Sequence, residues 1–160
     1  MSNTRTVLIA VGMEEGVRRA VAATRALFGD DVHAVFAHVV GSVPMTPPGG
    51  IAPVGSMGAA AIPSAADIEH GLVDPDEVRA SAREVARHAA EASGLPDTEA
   101  VGLLGGDPAD ELAAEAAERG VDAIVVAAHD RNWLSRLIVP SVTDEIERVA
   151  TVPVIVVPEH

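Results

Sequence analysis

The last forty residues of the chain contain two short apolar runs, and a helix-like segment lies between them. The first run extends from Ala123 to Ala128 and the second from Val152 to Val157. Strands that are apolar at every position, with no polar alternation, are typical of parallel sheets covered on both faces. The pattern therefore predicts a parallel βαβ crossover whose helix begins near Ser141. A ligand is expected beyond the carboxyl end of the first strand, in the loop 127–140.

The rest of the chain repeats this alternation of apolar runs and helical periodicity. Further strands are predicted at 6–11, 32–40 and 98–104, and helices at 14–28, 74–93 and 107–119. Asp74 and Asp107 each precede a proline, which is typical of an N-cap followed by the first helical position. Five strands separated by four helices predict one α/β domain over residues 1–160, with a doubly wound parallel sheet.

One segment, 41–73, does not fit the alternation. Its 33 residues include six glycines and five prolines and show no clear periodicity. A loop of this length within a compact domain is usually a functional lid or a low-complexity insertion. Both interpretations remain open.

The composition excludes several classes of function. The formal net charge is −13, all 11 basic residues are arginine, and there is no cysteine. The charge argues against binding to nucleic acid or to an anionic membrane, since both require basic groups to neutralise phosphates. The absence of lysine excludes Schiff-base chemistry and a P-loop lysine. No signal peptide or membrane-spanning run is present, so we expect a cytoplasmic protein. We also expect no metal site.

Two clusters of potential ligands have ordinary structural interpretations. His33 and His38 lie within the second predicted strand, where a histidine is more often a core or edge residue with a backbone partner than a metal ligand. Arg79, Arg83 and Arg87 are four residues apart on one helix, and nearby carboxylates are expected to offset them on a solvated face. No catalytic residues are predicted, because no nucleophile–base order, zinc motif or paired carboxylates stand out.

Three stretches together resemble the universal stress protein family. They are VLIAV at 7–11, GDPADEL at 106–112 and AHDRNWLSRLIVPSVTDEIERVATVPVIVV at 128–157. The resemblance implies a five-stranded sheet with strand order 3-2-1-4-5 and helices on both faces. It also implies a homodimer in which the last strand pairs with its mate. The residues of this dimer strand would be Val152, Val154, Ile155, Val156 and Val157.

Part of that family binds ATP through an Asp after the first strand and a loop of the form Gly-x2-Gly-x9-Gly-(Ser/Thr). In this sequence Gly12 occupies the position of the Asp. The loop glycines are replaced by Ala127, Asp130 and Pro140, and only Ser141 matches. Glycine lets the backbone approach a phosphate and donate its N–H groups, whereas proline has no N–H and a carboxylate repels the anion. The resemblance therefore implies a degenerate ATP motif.

Some residues of the same loop favour a phosphate ligand. Arg131 and Arg136 offer bidentate donors, and Ser141 offers a hydroxyl. Each also has a structural interpretation, because the arginines can pair with Asp130 and Glu145, and Ser141 can cap the following helix. If a nucleotide binds, the candidate residues are Val11, Gly12, Val40, Ala127, Ala128, Asp130, Arg131, Arg136, Pro140, Ser141 and Val142.

Two functions remain in competition at this point. The first is a homodimeric regulatory module for the stress response that lacks the usual ATP site and needs no cofactor. Its expected partner is a second copy of the chain, and a regulatory protein is a further candidate. The second is an adenine-nucleotide-binding member with a remodelled phosphate loop, which takes AMP or ATP. For the adenine, strand-end backbone near Val11 and Val40 would be sufficient.

Overall fold

Five parallel strands form the sheet of the computed structural model, which describes residues 3–41, 71, 74–128 and 142–159. The strand order is β3-β2-β1-β4-β5, and every neighbouring pair is parallel. The strands are β1 (Arg5–Ala10), β2 (Val32–Gly41), β3 (Asp97–Gly105), β4 (Ala123–Ala127) and β5 (Val154–Val157). The helices are α1 (Glu14–Phe28), α2 (Pro75–Ser93), α3 (Pro108–Arg119) and α4 (Val142–Val149). The predicted fold class and strand order are confirmed.

The apolar strands are buried because helices cover both faces of the sheet. Successive side chains of a strand point to opposite faces. On β1, Val7 and Ile9 pack with α1 and α2, whereas Leu8 packs with α3 and α4. All three are fully buried. This two-sided burial explains why the central strand shows no polar alternation.

The helix ends follow the caps that the sequence predicts. The Asp74 carboxylate accepts from the backbone N–H of Asp76 at 2.9 Å, and the Asp107 carboxylate accepts from that of Ala109 at 2.8 Å. At the other end of α3, Gly120 has φ of 62°, a left-handed conformation that only glycine adopts without strain. Both Asp-Pro pairs therefore start helices.

Several predicted boundaries were wrong by one or two residues. β1 ends at Ala10, although the N–H of Val11 still donates to the carbonyl of Ala37 at 2.8 Å. β5 begins at Val154, so Val152 lies outside the strand assigned to the dimer. Pro153 has no N–H for the ladder, but its carbonyl accepts from Ile124 at 2.9 Å.

The last turn of α1 also departs from the expected pattern. Helical spacing predicts that Leu27 faces the core together with Val17 and Val21, but Leu27 is 61% exposed. Thr24, one turn earlier, is fully buried and donates its hydroxyl to the carbonyl of Ala20 at 2.8 Å. The apolar face of α1 therefore leaves the sheet before the helix ends. The predicted loop 41–73 lies almost entirely outside the described residues.

The backbone of α2 lies directly against the edge strand β3 at Gly102. A Cβ atom built at this glycine would lie 2.1 Å from the carbonyl oxygen of Arg79 and 2.5 Å from the nitrogen of Arg83. No side chain fits at these distances. Glycine at this position is therefore what allows α2 to pack closely on the sheet.

Candidate functional site

The topology selects the carboxyl edge of β1 and β4 as the candidate site. The chain runs from β1 outward to β2 and β3, and then crosses to β4 on the other side of β1. Connections that leave adjacent strands in opposite directions open a crevice between them, and ligands of open α/β sheets bind there. Of the sequence candidates, Val11, Gly12, Ala127 and Ala128 lie at this edge.

Beyond β1, the backbone of Val11 is held on both sides. Its N–H donates to Ala37, and its carbonyl oxygen lies 2.9 Å from Nδ1 of His38. The next residue, Gly12, is exposed, and a Cβ built on it would meet no atom of the described residues within 4 Å. The position of the family's Asp is therefore sterically open, although this chain places no side chain there.

Val40 serves a different part of the molecule. Its buried side chain packs with Val78 and Ala82 of α2 and with Leu104 of β3. This small cluster is separate from the core cluster that contains Val11. The side chain of Val40 is thus used for helix packing, and only its backbone remains for the adenine contact that the sequence suggested.

At the end of β4, the methyl group of Ala127 lies against α1. A Cβ built at Gly16 would be 3.2 Å from the Cβ of Ala127, which is tighter than nearly all real contacts. The following residue, Ala128, donates its N–H to the carbonyl of Val157 at 2.8 Å. The start of the candidate phosphate loop is therefore wedged between α1 and β5.

The remaining loop candidates lie outside the described residues. They are Asp130, Arg131, Arg136, Pro140 and Ser141. Val142 is the first residue of α4. Glu145, a suggested partner of Arg136, pairs with Arg148.

The start of α1 brings negative charge to this edge. Glu14 and Glu15 occupy its first turn and are exposed, and the N-cap residue Met13 makes no side-chain capping hydrogen bond. Carboxylates in the first turn interact favourably with the positive end of the helix dipole. They also offset the attraction that this end would otherwise exert on a phosphate.

Among the described residues, the basic side chains of Arg19 and His38 reach this edge, and both are hydrogen-bonded to backbone carbonyls. His38 contacts Val11, as the sequence interpretation of a histidine with a backbone partner expected. Arg19 donates from Nη1 to the carbonyl of Pro158 at 2.7 Å and from Nη2 to that of Ala128 at 3.2 Å. Sequence reasoning missed Arg19. The available signal was its position on the buried face of α1, between Gly16 and Ala20.

His33, the other strand histidine, differs from the prediction because its partners are carboxylates. Nδ1 lies 3.0 Å from Asp97, and Nε2 lies 3.6 Å from Glu99. The two ring nitrogens point to different carboxylates, so the three groups do not converge on one point. Within the described ranges, no group of three or more potential ligands is arranged to hold a metal ion.

The arginine stripe of α2 is a solvated face, as predicted. Arg79 pairs with Asp76 at 3.1 Å, and Arg87 pairs with Glu84 at 2.7 Å. The side-chain hydrogen bond from Arg87, followed by its charge, holds the pKa of Glu84 below its ordinary value. An open groove of about 700 Å³ runs between these side chains and Gly102. Carboxylates therefore offset two of the three stripe arginines, and Arg83 also lines the groove.

No helix in the described part of the chain is long and apolar enough to cross a membrane. The comparison with curated proteins gave no match.

Solved structures with the same fold include several universal stress proteins. The protein from Lactobacillus plantarum is 18% identical, with a TM-score of 0.59, and the alignment covers 98% of this chain and 99% of that one. A universal stress protein in complex with cAMP is 17% identical, with a TM-score of 0.59 and coverage of 99% and 100%. A family protein from Arabidopsis thaliana with AMP bound is 17% identical, with a TM-score of 0.54 and coverage of 98% and 92%.

The sequence model of the universal stress protein family matches residues 3–158. The match extends over nearly the whole chain and includes every strand and helix described above. The chain therefore belongs to the universal stress protein family.

Proposed function

We propose that the protein is a non-enzymatic, homodimeric stress-response module whose site at the carboxyl edge of β1 and β4 takes an adenine mononucleotide rather than a triphosphate. The observation that carries the proposal is the electrostatic character of this edge. The exposed carboxylates of Glu14 and Glu15 begin α1, and the basic groups of Arg19 and His38 are directed at backbone carbonyls. A ligand with fewer negative charges is less strongly repelled there.

The loop sequence supports the same conclusion independently. Asp130 and Pro140 replace two glycines of the ATP-binding motif; Pro140 removes one backbone donor, and Asp130 adds a negative charge. A triphosphate needs those donors along its length, whereas a monophosphate needs only a few of them. Two of the similar structures were solved with adenosine monophosphates, one with cAMP and one with AMP.

The test is the order of affinity among AMP, ADP and ATP, measured by isothermal titration calorimetry. We expect AMP to bind most tightly and ATP most weakly. Two unit charges about 4 Å apart interact by about 1 kcal/mol even in bulk water, which corresponds to about fivefold in affinity. The double variant Glu14→Gln/Glu15→Gln should therefore improve binding of ATP by several fold more than binding of AMP.

A matched variant controls for net charge. Asp31 and Glu118 are exposed acidic residues near the opposite, amino-terminal edge of the sheet. The variant Asp31→Asn/Glu118→Gln also removes two negative charges, and it should leave the ratio of ATP to AMP affinity unchanged. Equal effects of the two double variants, or tighter binding of ATP than of AMP by the unmodified protein, would contradict the proposed selectivity.

The proposed dimer uses the open edge of β5. Among the described residues, β5 pairs only with β4, and its four apolar side chains are half-buried. The carbonyl of Pro153 accepts from Ile124 of β4, and that of Val157 accepts from Ala128, directly after β4. Because alternate residues of a strand direct their N–H and C=O groups to opposite sides, Val154 and Val156 present theirs at the open edge. An unpaired apolar edge readily accepts a further strand.

The variant Val156→Pro tests this arrangement. It removes one outward N–H while leaving the ladder with β4 intact, a placement of proline that edge strands tolerate. We expect a folded monomer by light scattering and circular dichroism. Val156→Thr keeps the N–H group and the β-branched shape, so it should remain dimeric. A Val156→Pro protein that is still dimeric would exclude β5 as the interface.

A further inference from the structure

Arg19 joins the ends of two neighbouring strands. Its side chain leaves the second turn of α1, and its two terminal nitrogens donate to the carbonyls of Ala128 and Pro158. Ala128 is the first residue after β4, and Pro158 is the first after β5. One guanidinium therefore contacts both the start of the candidate phosphate loop and the end of the strand at the open edge.

The hydrogen bonds explain where the ladder between β4 and β5 stops. The N–H of Ala128 donates to Val157 at 2.8 Å, which is the last rung. In a parallel ladder the carbonyl of Ala128 would next accept from residue 159. Nη2 of Arg19 donates a hydrogen bond to that carbonyl instead. A lysine in the same place would be a poor substitute, because its ammonium lacks the planar fork that serves two acceptors at once.

Close packing of α1 holds the guanidinium in position. Gly16, one turn before Arg19, lets the helix approach Ala127, and a Cβ on Gly16 would lie 3.2 Å from the Cβ of that residue. The Nε atom of Arg19 is buried and has no hydrogen-bond partner in the described structure. The Nε atom is therefore shielded between α1 and the strand ends, whereas the hydrogen bond to Pro158 lies at the surface.

We propose that Arg19 is a positioning residue that holds the ends of β4 and β5 as one unit and thereby couples occupancy of the site to pairing of the β5 edge. The coupling rests on the proposed function, because it requires both a nucleotide and a dimer. The holding of the strand ends by Arg19 does not depend on the proposed function. A ligand that displaces Ala128 must also displace Pro158 or break its contact with the guanidinium. Any resulting coupling is reciprocal, so AMP changes the dimer affinity by the factor by which dimer formation changes the AMP affinity.

Amide hydrogen exchange tests the holding of the strand ends. The variants are Arg19→Met and its neighbour Arg18→Met, which removes the same charge from an exposed position. In Arg19→Met we expect the Ala128 amide and those of β5 to exchange at least tenfold faster, while amides of β2 and β3 keep their rates. Arg18→Met should match the unmodified protein. Equal exchange at Ala128 in all three proteins would overturn the proposal.

The variant Arg19→Lys provides a second test in case Arg19→Met does not fold. It keeps the charge and a long side chain but cannot serve both carbonyls in a fixed plane, so exchange at Ala128 should lie between that of the unmodified protein and that of Arg19→Met. A lysine variant with exchange identical to that of the unmodified protein would show that the fork geometry is not required.

The coupling is measured by sedimentation as the ratio of dimer dissociation constants with and without saturating AMP. In the unmodified protein and in Arg18→Met, this ratio should differ from one by at least threefold, and in Arg19→Met it should return to one. A ratio of one in the unmodified protein, or an unchanged ratio in Arg19→Met, would refute the coupling. If the unmodified protein neither binds AMP nor dimerises, the proposed function fails together with the coupling, and the exchange rates still decide whether Arg19 holds the strand ends.

Discussion

Replacing Gly102 by alanine is the most direct test of how the helices are seated on this sheet. The added methyl carbon would lie 2.1 Å from the carbonyl oxygen of Arg79 and 2.5 Å from the nitrogen of Arg83, whereas ordinary contacts are 3.4–4 Å. Both obstacles are backbone atoms of α2, so no side-chain rotation relieves them. The helix must move away from β3 by about 1 Å or more, given the packing density of protein interiors.

The expected cost follows from two opposing effects. Overpacking of a filled interior destabilises by about 1–3 kcal/mol, and occasionally by more. Restricting the unfolded chain by a Gly→Ala change offsets about 0.4–1 kcal/mol of this. The net loss should be about 1–2 kcal/mol, which lowers the Tm of a domain of this size by about 2–8 °C. Left-handed backbone strain does not contribute, because the φ of Gly102 lies outside that region.

The measurement is urea denaturation of Gly102→Ala beside Gly12→Ala. A Cβ on Gly12 meets no atom within 4 Å in the described part of the chain, so this control makes the same chemical change without the clash against α2. It should be neutral or slightly stabilising. If both variants have the same free energy of unfolding, α2 is not seated on Gly102 as described, and the steric argument is wrong.

Three further predictions concern the core, a helix cap and a surface ion pair. Ile146→Ala should lose about 2–5 kcal/mol because Ile146 is fully buried, whereas Leu27→Ala should be nearly neutral because Leu27 is 61% exposed; chemical denaturation distinguishes them. Asp107→Ala should lose about 1 kcal/mol by removing the N-cap of α3, measured by the same method. Arg87 lowers the pKa of Glu84 below the ordinary 4.5, so the pair stabilises the fold above that pH, and its contribution is lost as the pH falls through the lowered value. Thermal melts of Glu84→Gln and the unmodified protein should therefore converge at acidic pH, and a difference that persists there would exclude the ion pair as its cause.

The fold was predictable because its signal is local. Short apolar runs without alternation are typical of strands covered on both faces, and the helices between them favour parallel pairing. Asp74 and Asp107 each predict the start of a helix, and each is the N-cap of a helix in the structure. The strand order was predicted from the family resemblance, because the apolar runs do not indicate which strands are adjacent in the sheet. Leu27 was misplaced because periodicity does not reveal where a helix diverges from the sheet beneath it.

The site was less predictable because its contacts join residues far apart in sequence. Arg19 and Pro158 are separated by 139 positions, and nothing in the sequence near either residue indicates the other. An arginine within a helix normally suggests a solvated side chain, and an acceptor that is a backbone carbonyl leaves no mark on the sequence. The sequence predicts that Gly12 stands at the position of the family's Asp, but only the structure describes the space around it.

The role of the basic groups at the carboxyl edge decides which ligands can bind there. A phosphate site presents guanidinium or imidazole donors that are free to meet the anion. In this protein, the guanidinium of Arg19 and the ring of His38 donate to the carbonyls of Ala128, Pro158 and Val11. Hydrogen bonds from a charged guanidinium are each worth about 1.5–3 kcal/mol, so an anion that recruits Arg19 must first break contacts of that size. Among the described residues of this edge, each additional phosphate meets repulsion from Glu14 and Glu15 and no further free side-chain donor, so we expect the affinity to fall from AMP to ATP.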